Sequence, residues 1–242
     1  MIKKFIDLHC HILPGVDDGA SSRSQSIEML KIAYKNGFGT ICATPHFREP
    51  RFVNEIEKLQ EEVRWLQEEA NRLKLPIKIL LGNEIYYGQG ILEKLENGKC
   101  LPMAGTKYVL VEFHPAVDYR SLQRGLKEIR LGGYRPILAH IERYACMYND
   151  GISYAEELID MGVVIQVNAS SFKDGFKTAR FVKKLLKYEL VHLIATDSHS
   201  DGTRSPNIES CVSYITKKYG EDYVEELLSH NPKKILNNEY LK

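Results

Sequence analysis

Seven short apolar runs punctuate the chain, at residues 5–9, 39–44, 78–82, 108–112, 135–139, 163–167 and 191–195. Most are continuous rather than alternating, the pattern of strands in a parallel sheet that helices cover on both faces. Between the runs, apolar residues return every three or four positions. In 26–36, Ile27, Leu30 and Tyr34 share one face, with serines available as an N-cap and Gly37 as a stop. In 53–73, Ile56, Leu59, Val63, Leu66, Ala70 and Leu73 fall at helical spacing, with Glu and Lys on the other side. Helices are also expected over 119–131, 154–161, 177–187 and 207–218. Strand and helix alternate about seven times without a linker or low-complexity tract. This predicts one α/β domain over residues 1–242, most economically a (β/α) barrel of seven units. A doubly wound open sheet has the same periodicity.

Composition narrows the function classes. A hydrophobic fraction of 43% is ordinary for a globular chain with a sizeable core. Lys+Arg 33 against Asp+Glu 32 leaves a net charge of +1, which argues against bulk electrostatic binding to nucleic acid or an anionic membrane. No stretch offers the roughly 18 apolar residues of a membrane helix, and residues 1–6 lack the apolar region of a signal peptide. The five cysteines, Cys10, Cys42, Cys100, Cys146 and Cys211, are scattered and form no Cys-x-x-Cys pair. Free thiols in a reducing cytoplasm are the expectation.

Histidines and acids gather at or just past the ends of the runs. Asp7-Leu-His9-Cys-His11 is followed by Asp17-Asp18-Gly19, and then come Thr44-Pro-His46, Asn83-Glu84, Val111-Glu112, His140-Ile-Glu142-Arg143 and Thr196-Asp197-Ser-His199. In a parallel barrel every strand C-terminus opens onto one face, where active sites of this architecture lie. His9, His11, Asp18, His46, Glu84, Glu112, His140, Asp197 and His199 would then converge from six of the seven runs. That convergence favours the closed barrel, because an open sheet would spread the same residues along an edge.

Residues i and i+2 of an extended segment point the same way, so His9 and His11 can reach one ion, and Asp197 and His199 another. A lone His-x-His is more often ordinary polar surface; its company here changes that. Mixed imidazole and carboxylate ligation suits Mn²⁺, Zn²⁺ or Fe²⁺, and nine ligands suit two or three ions. Four ionised acids against three divalent ions would leave a positive pocket fit for a phosphate dianion, whose hydrolysis such ions promote. His114, His192 and His230 lie elsewhere and are expected to be structural.

Arg143, three residues after His140, and Arg204, in the loop after His199, can hold phosphate oxygens bidentately; Arg48, two residues past His46, is a further candidate. Cys42 and Arg48 also match the Cys-x5-Arg pattern of thiol-dependent phosphatases. That chemistry needs a loop of N–H groups around phosphate and a low-pKa thiolate. Cys42 lies inside an expected strand, Pro45 removes an N–H and no glycine frees the loop, so thiol catalysis is not expected. Cys10 is expected to sit in the barrel wall as a small apolar side chain.

The succession Asp7-Leu-His9-Cys-His11-Ile-Leu-Pro-Gly-Val-Asp17-Asp18-Gly, Ala43-Thr-Pro-His46, Gly82-Asn-Glu84-Ile-Tyr-Tyr, Val111-Glu112-Phe, His140-Ile-Glu-Arg143-Tyr and Thr196-Asp197-Ser-His199 resembles the PHP (polymerase and histidinol phosphatase) superfamily. More narrowly, it resembles the CpsB/YwqE-type bacterial protein-tyrosine phosphatases of capsular and exopolysaccharide synthesis, over essentially the whole chain. The resemblance implies a distorted (β/α)7 TIM-like barrel of the PHP type. It also implies three metal ions, commonly Mn²⁺, and hydrolysis of phosphotyrosine on a bacterial tyrosine kinase. By the same resemblance one ion would take His9, His11, Glu84 and Asp197, a second Glu84, Glu112 and His140, and the third Asp18, His46 and His199. Arg143 and Arg204 would bind the phosphoryl group. One departure is Phe47, where many relatives have a second histidine or an arginine; it bears on local substrate contacts. A small-molecule phosphatase such as a histidinol-phosphatase, and a non-catalytic metal-bound scaffold that docks the kinase, are the competing functions.

Overall fold

The computed structural model describes residues 5–241. The elements run β1 (Phe5–Cys10), α1 (Arg23–Lys35), β2 (Phe38–Ala43), β3 (His46–Phe47), α2 (Ile56–Arg72), β4 (Lys78–Leu81), β5 (Glu84–Tyr86) and α3 (Ile91–Glu96). They continue with β6 (Tyr108–Glu112), α4 (Tyr119–Leu131), β7 (Arg135–Leu138), α5 (Met147–Asp160), β8 (Val164–Asn168), α6 (Phe176–Lys187), β9 (Leu193–Ala195) and α7 (Glu209–Tyr219). The short helices α8 (Glu221–Glu225) and α9 (Asn231–Leu236) follow, joined by a π-helical turn at Glu226–His230.

All strand pairings are parallel. One sheet has the order β1-β2-β4 and the other β3-β5-β6-β7-β8-β9. The second and third expected strands, 39–44 and 78–82, appear as β2 and β4, and each is followed after a short break by a further strand, β3 and β5, that was not anticipated. Pro45 has no N–H to continue the ladder, and the amide of Asn83 spans the break, donating to Pro45 O at 2.9 Å and accepting from Leu101 N at 2.8 Å. Past the break, β3 pairs with β5 and the wall continues. The far end returns to β1: Cys10 bridges Ser198 in parallel, and Asp197 N donates to His9 O at 2.8 Å. Seven strand positions thus form a distorted α/β barrel, and the open-sheet alternative is excluded because β1 lies between β2 and the chain leaving β9.

Inside the barrel, Leu8, Cys42, Leu110, Ile137, Ala139, Val164 and Leu193 form an apolar plug beneath the strand C-termini, against Ile235 of α9. A larger cluster packs the helices on the outer face. The plug fills the lower barrel with apolar side chains, beneath the histidines and acids at the upper ends.

Helix α1 starts at Arg23 rather than 26, because Ser22 accepts from Gln25 N and caps it. Helix α5 starts at Met147 rather than 154: Gly151 sits where a Cβ would lie 2.7 Å from Phe181, so that close packing requires glycine, and Asp150 bends the helix just before it. The C-terminal elements over 221–236 were not anticipated; their apolar residues Leu227, Leu228 and Ile235 are few but fully buried.

Candidate metal centre

At the end of β1 the two-residue period aims His9 and His11 to one side, as the spacing requires. Their Nε2 atoms lie 3.2 Å apart. Glu84, the first residue of β5, brings Oε2 within 3.2 Å of His9 Nε2, 3.1 Å of His11 Nε2 and 3.0 Å of His46 Nδ1. Asp197 Oδ1 lies 3.3 Å from His9 Nε2 and 3.5 Å from His11 Nε2.

Thr196 makes this placement possible. Its N–H and hydroxyl both donate to the buried Asp7 carboxylate, at 3.1 and 2.5 Å, tying the chain to β1. The next residue, Asp197, turns back with φ +49, and His140 at the end of β7 adopts φ +34. Left-handed backbone at a side chain other than glycine costs about 1–2 kcal/mol, and such strain collects at functional sites.

His140 Nε2 lies 2.8 Å from Glu84 Oε1 and 3.8 Å from Glu112 Oε2. His46 reaches Glu112 Oε1 at 3.4 Å through Nδ1 and the exposed Asp18 Oδ1 at 3.4 Å through Nε2; His199 Nε2 is 3.7 Å from the same Asp18 oxygen. Three overlapping groups have ligand atoms close enough to hold an ion: His9, His11, Glu84 and Asp197; His11, His46 and His199; and His46, Glu84 and Glu112. Seven of the nine residues singled out in the sequence belong to these groups; His140 adjoins them through Glu84, and Asp18 through His46 and His199. The groupings differ in detail from those the resemblance implies, since His46 lies near Glu84 and Glu112, and His11 near His199.

The donor set fits divalent metal. Buried polar atoms are almost always hydrogen-bonded, yet Glu84 Oε2, Asp197 Oδ1 and His46 Nδ1, which face one another across the cluster, are buried without a hydrogen-bond partner. Five of the six edges of the His9–His11–Glu84–Asp197 tetrahedron measure 3.1–3.5 Å. Four ligands about 2.0–2.2 Å from one ion stand roughly 3.3–3.6 Å apart. Two imidazoles and two carboxylates are the ligand chemistry of a borderline divalent ion.

Electrostatics follow from the crowding. Burial alone would raise Glu84, but His9, His11, His140 and His46 around it hold it well below the usual carboxylate range. Asp197 is likewise held down against burial, by His9 and Arg143. At Glu112 burial and the neighbouring Glu84 charge outweigh the pull of His46, His9 and His11 and push it up to about 7. Burial and the charge of His11 push His199 down to about 3.

A cleft of about 180 Å³ opens above the cluster, lined by Asp18, His46, Glu112, Asp197, His199 and the guanidinium groups of Arg48, Arg51, Arg143 and Arg204, with Phe52. Arg143 Nη2 lies 2.5 Å and Arg204 Nη2 3.1 Å from Asp197 Oδ2. Arg48 instead packs over the Tyr86 ring at 4.2 Å.

Residues 5–237 match the family model described as "Capsular polysaccharide synthesis, CpsB/CapC". The chain belongs to the CpsB/CapC family. The Streptococcus pneumoniae tyrosine-protein phosphatase CpsB is 36% identical over 98% of this chain and 100% of its own. The Bacillus subtilis tyrosine-protein phosphatase YwqE is 31% identical over 97% of this chain and 92% of its own. A solved structure from work on YwqE and S. pneumoniae CpsB, described as unique metal-dependent tyrosine phosphatases, has a TM-score of 0.88 at 30% identity, covering 98% of this chain and 96% of that one. The phosphotriesterase homology protein of Escherichia coli, with phosphate in its active site, shares only the fold, with a TM-score of 0.62 at 11% identity over 98% of this chain and 99% of that one.

Several groups in this CpsB/CapC chain escaped sequence reasoning. Asp17 accepts from His11 Nδ1 at 2.7 Å, His46 N at 2.9 Å and Gly19 N at 2.9 Å. Burial would raise Asp17, but the His11 charge holds it down to about 2. The sixth strand, β8, which offered no ligand, supplies Gln166 and Asn168. Gln166 Oε1 lies 3.3 Å from His9 Nδ1 and accepts from His140 N at 2.7 Å. Its amide donates to Asn168, and Asn168 donates to Asp197 Oδ2 at 2.9 Å. Such partners fix the orientation of metal ligands. A polar pair at alternate positions of an otherwise apolar strand was the available signal. Glu142 of His-Ile-Glu-Arg-Tyr stays out of the cluster; it accepts from Asn168 N and the Ser171 hydroxyl at 2.8 and 2.7 Å, anchoring the turn that carries Arg143.

Two local expectations change. Phe47 is 4% exposed and packs in the core, so its side chain bears on packing rather than on local substrate contacts. Cys10 is buried in the wall, but with a polar neighbour, Ser198 Oγ at 3.0 Å. Cys42 lies in the apolar plug, where burial pushes its thiol up to about 12, the opposite of a nucleophilic thiolate.

Proposed function

We propose that this chain is a metal-dependent protein-tyrosine phosphatase, acting on phosphotyrosine of a bacterial tyrosine kinase in capsular or exopolysaccharide synthesis. The observation that carries the reading is the buried His9–His11–Glu84–Asp197 group with Arg143 and Arg204 converging on its outer carboxylate oxygen. Family membership supports it, as do the names of the curated relatives.

In this reading His9, His11, Asp18, His46, Glu84, Glu112, His140, Asp197 and His199 hold two or three divalent ions, with Mn²⁺ the leading candidate over Fe²⁺ and Zn²⁺. When bound, the ions supply Lewis-acid polarisation of the phosphoryl group and a hydrolytic nucleophile at neutral pH. The protein supplies the rest. Arg143 and Arg204 swing from Asp197 Oδ2 onto the phosphoryl oxygens, where paired N–H groups neutralise charge and fix orientation. Arg48 offers a third cation at the mouth. The apolar plug excludes bulk water from below, which strengthens every charge interaction above it. A phenolate leaves readily, with a pKa near 10, so no strong general acid is required. The proposal further takes 1–242 as one domain working in the cytoplasm; none of the described helices is long and apolar enough to cross a membrane.

The test is hydrolysis of a phosphotyrosyl peptide beside a phosphoseryl peptide and histidinol phosphate, with chelator and with added Mn²⁺. Preferential, chelator-sensitive cleavage of the phosphotyrosyl peptide is expected. Preference for histidinol phosphate, or full activity in chelator, overturns the reading.

A further inference from the structure

Away from the cleft, the most one-sided charge lies on α6. Its twelve residues include Lys177, Arg180, Lys183, Lys184 and Lys187 and no acid, on a chain whose net charge is +1. Lys173 precedes it. Lys173, Lys177, Arg180, Lys184 and Lys187 are all exposed. At about 100° per residue the four on the helix fall within an arc of roughly 80°, a single outward ridge.

Among the described residues none of the five pairs with a carboxylate; the ion pairs of Lys and Arg lie elsewhere. Lys177 and Lys187 instead rest over the rings of Tyr148 and Tyr188, at 4.3 and 5.8 Å. Asp174, the acid nearest in sequence, is held by the hydroxyls of Ser170 and Ser171 at 3.4 and 3.5 Å. Asp150, Glu156, Glu157 and Asp160 of the adjacent α5 form no ion pair with the ridge.

The ridge begins beside the turn that carries Arg143, a residue of the cleft wall. Tyr148 Oη donates to Glu142 O at 2.5 Å and lies 3.1 Å from Thr178 Oγ1, so one side chain separates the first turn of α6 from the turn carrying Arg143. From Lys177 to Lys187 the ridge runs about 15 Å, at 1.5 Å per residue. An extended peptide of about four or five residues covers that length.

We propose that this ridge docks an acidic segment of the substrate protein, adjoining the phosphotyrosine that enters the cleft. The inference rests on the reading of the cleft as a phosphotyrosine site. Charge complementarity names the occupant: a linear row of unpaired cations matches carboxylates along an extended chain. A membrane surface is the poorer fit. Helices that bind membranes turn an apolar face outward, whereas Phe181, Val182, Leu185 and Leu186 are buried and Phe176 alone among the large apolar residues of α6 is exposed.

The test uses the Mn²⁺-loaded full chain and the triple variant Arg180→Glu, Lys184→Glu, Lys187→Glu, none of which lines the cleft. Substrates are p-nitrophenyl phosphate and two phosphotyrosyl peptides, one flanked by Asp and Glu and one by Ser and Gln. Wild type should turn over the acidic peptide with a kcat/KM about tenfold higher, an advantage that fades at high salt. The variant should lose the preference while p-nitrophenyl phosphate turnover and the unfolding midpoint stay unchanged. Fluorescence anisotropy with the unphosphorylated acidic peptide reads the ridge without turnover. Absence of a preference in wild type, or its retention in the variant, overturns the docking role. Loss of binding to anionic vesicles in the variant, with the peptide preference intact, would assign the ridge to a membrane instead. Ridge-dependent binding without any phosphotyrosine turnover would refute the reading of the cleft alone.

Discussion

Replacing Asp17 by Asn removes one charge and changes almost no volume, yet the structure makes it a severe test of the metal centre. Oδ2 of Asp17 accepts from both His11 Nδ1 and His46 N, and Oδ1 accepts from Gly19 N. An amide has one acceptor oxygen, so its NH₂ must face at least one of these donors. Leaving a buried donor unsatisfied costs about 1–3 kcal/mol. The lost carboxylate also makes His11 a weaker ligand, and changes in such supporting groups cost about 10–100-fold in metal affinity or activity, roughly 1.4–2.7 kcal/mol. A 10–100-fold loss of Mn²⁺ affinity is therefore expected for Asp17→Asn, read by competition with a fluorescent chelator. Because the loss lies in loading, excess Mn²⁺ should restore most turnover of p-nitrophenyl phosphate. Wild-type metal affinity in Asp17→Asn would refute the reasoning and leave Asp17 as a residue that only shapes the loop. Unrescued activity in a metal-saturated, folded variant would instead place Asp17 at the reacting centre.

Other expectations follow from the same geometry. Arg143→Ala should lower kcat/KM at least tenfold and weaken inhibition by inorganic phosphate, with Arg143→Lys intermediate because a point charge replaces a fork; unchanged kinetics would remove Arg143 from the site. Iodoacetamide should leave activity intact while a chelator abolishes it, since Cys42 is buried with its thiol pushed up to about 12; the converse result would revive thiol catalysis. His192 is largely buried and pushed down to about 4 by burial from an ordinary 6.5. The unfolded chain takes up this proton first, so stability is lost as pH falls from 6.5 towards 4, by at most about 3 kcal/mol. In urea unfolding across that range, His192→Gln should lose less stability than wild type; parallel losses would rule out His192 as a source.

The resemblance to relatives was legible because metal ligation tolerates so few side chains. His9 and His11 at alternate positions, and Asp197 and His199 likewise, announce direction from chain geometry alone, and continuous apolar runs such as 108–112 announce buried parallel strands. Their position at the ends of runs also forecast that they would share one face. The supporting residues carried a weaker signal or none. Asp17 differs from Asp18 by a single position, yet one accepts from His11 at 2.7 Å while the other stands exposed at the rim beside His46 and His199. Gln166 and Asn168 lie in a strand otherwise built from Val and Ile, and their use emerges only when β8 passes beneath His9 and Asp197. Phe47 and Arg48 adjoin in sequence, and the strand alternation that sends the first into the core opens the second to the cleft.

Sequence by itself thus determined the alternation of strand and helix, the face on which chemistry collects and the histidines and acids that gather there. Local periodicity and the chemistry of the side chains suffice for those. Tertiary structure alone decided which ligand atoms stand 3.1–3.5 Å apart, where the barrel closes, and which acid is held charged and which is pushed towards neutrality. These depend on contacts between residues far apart along the chain, as between Asp7 and Thr196, and on the desolvation that packing imposes. No window of sequence contains either.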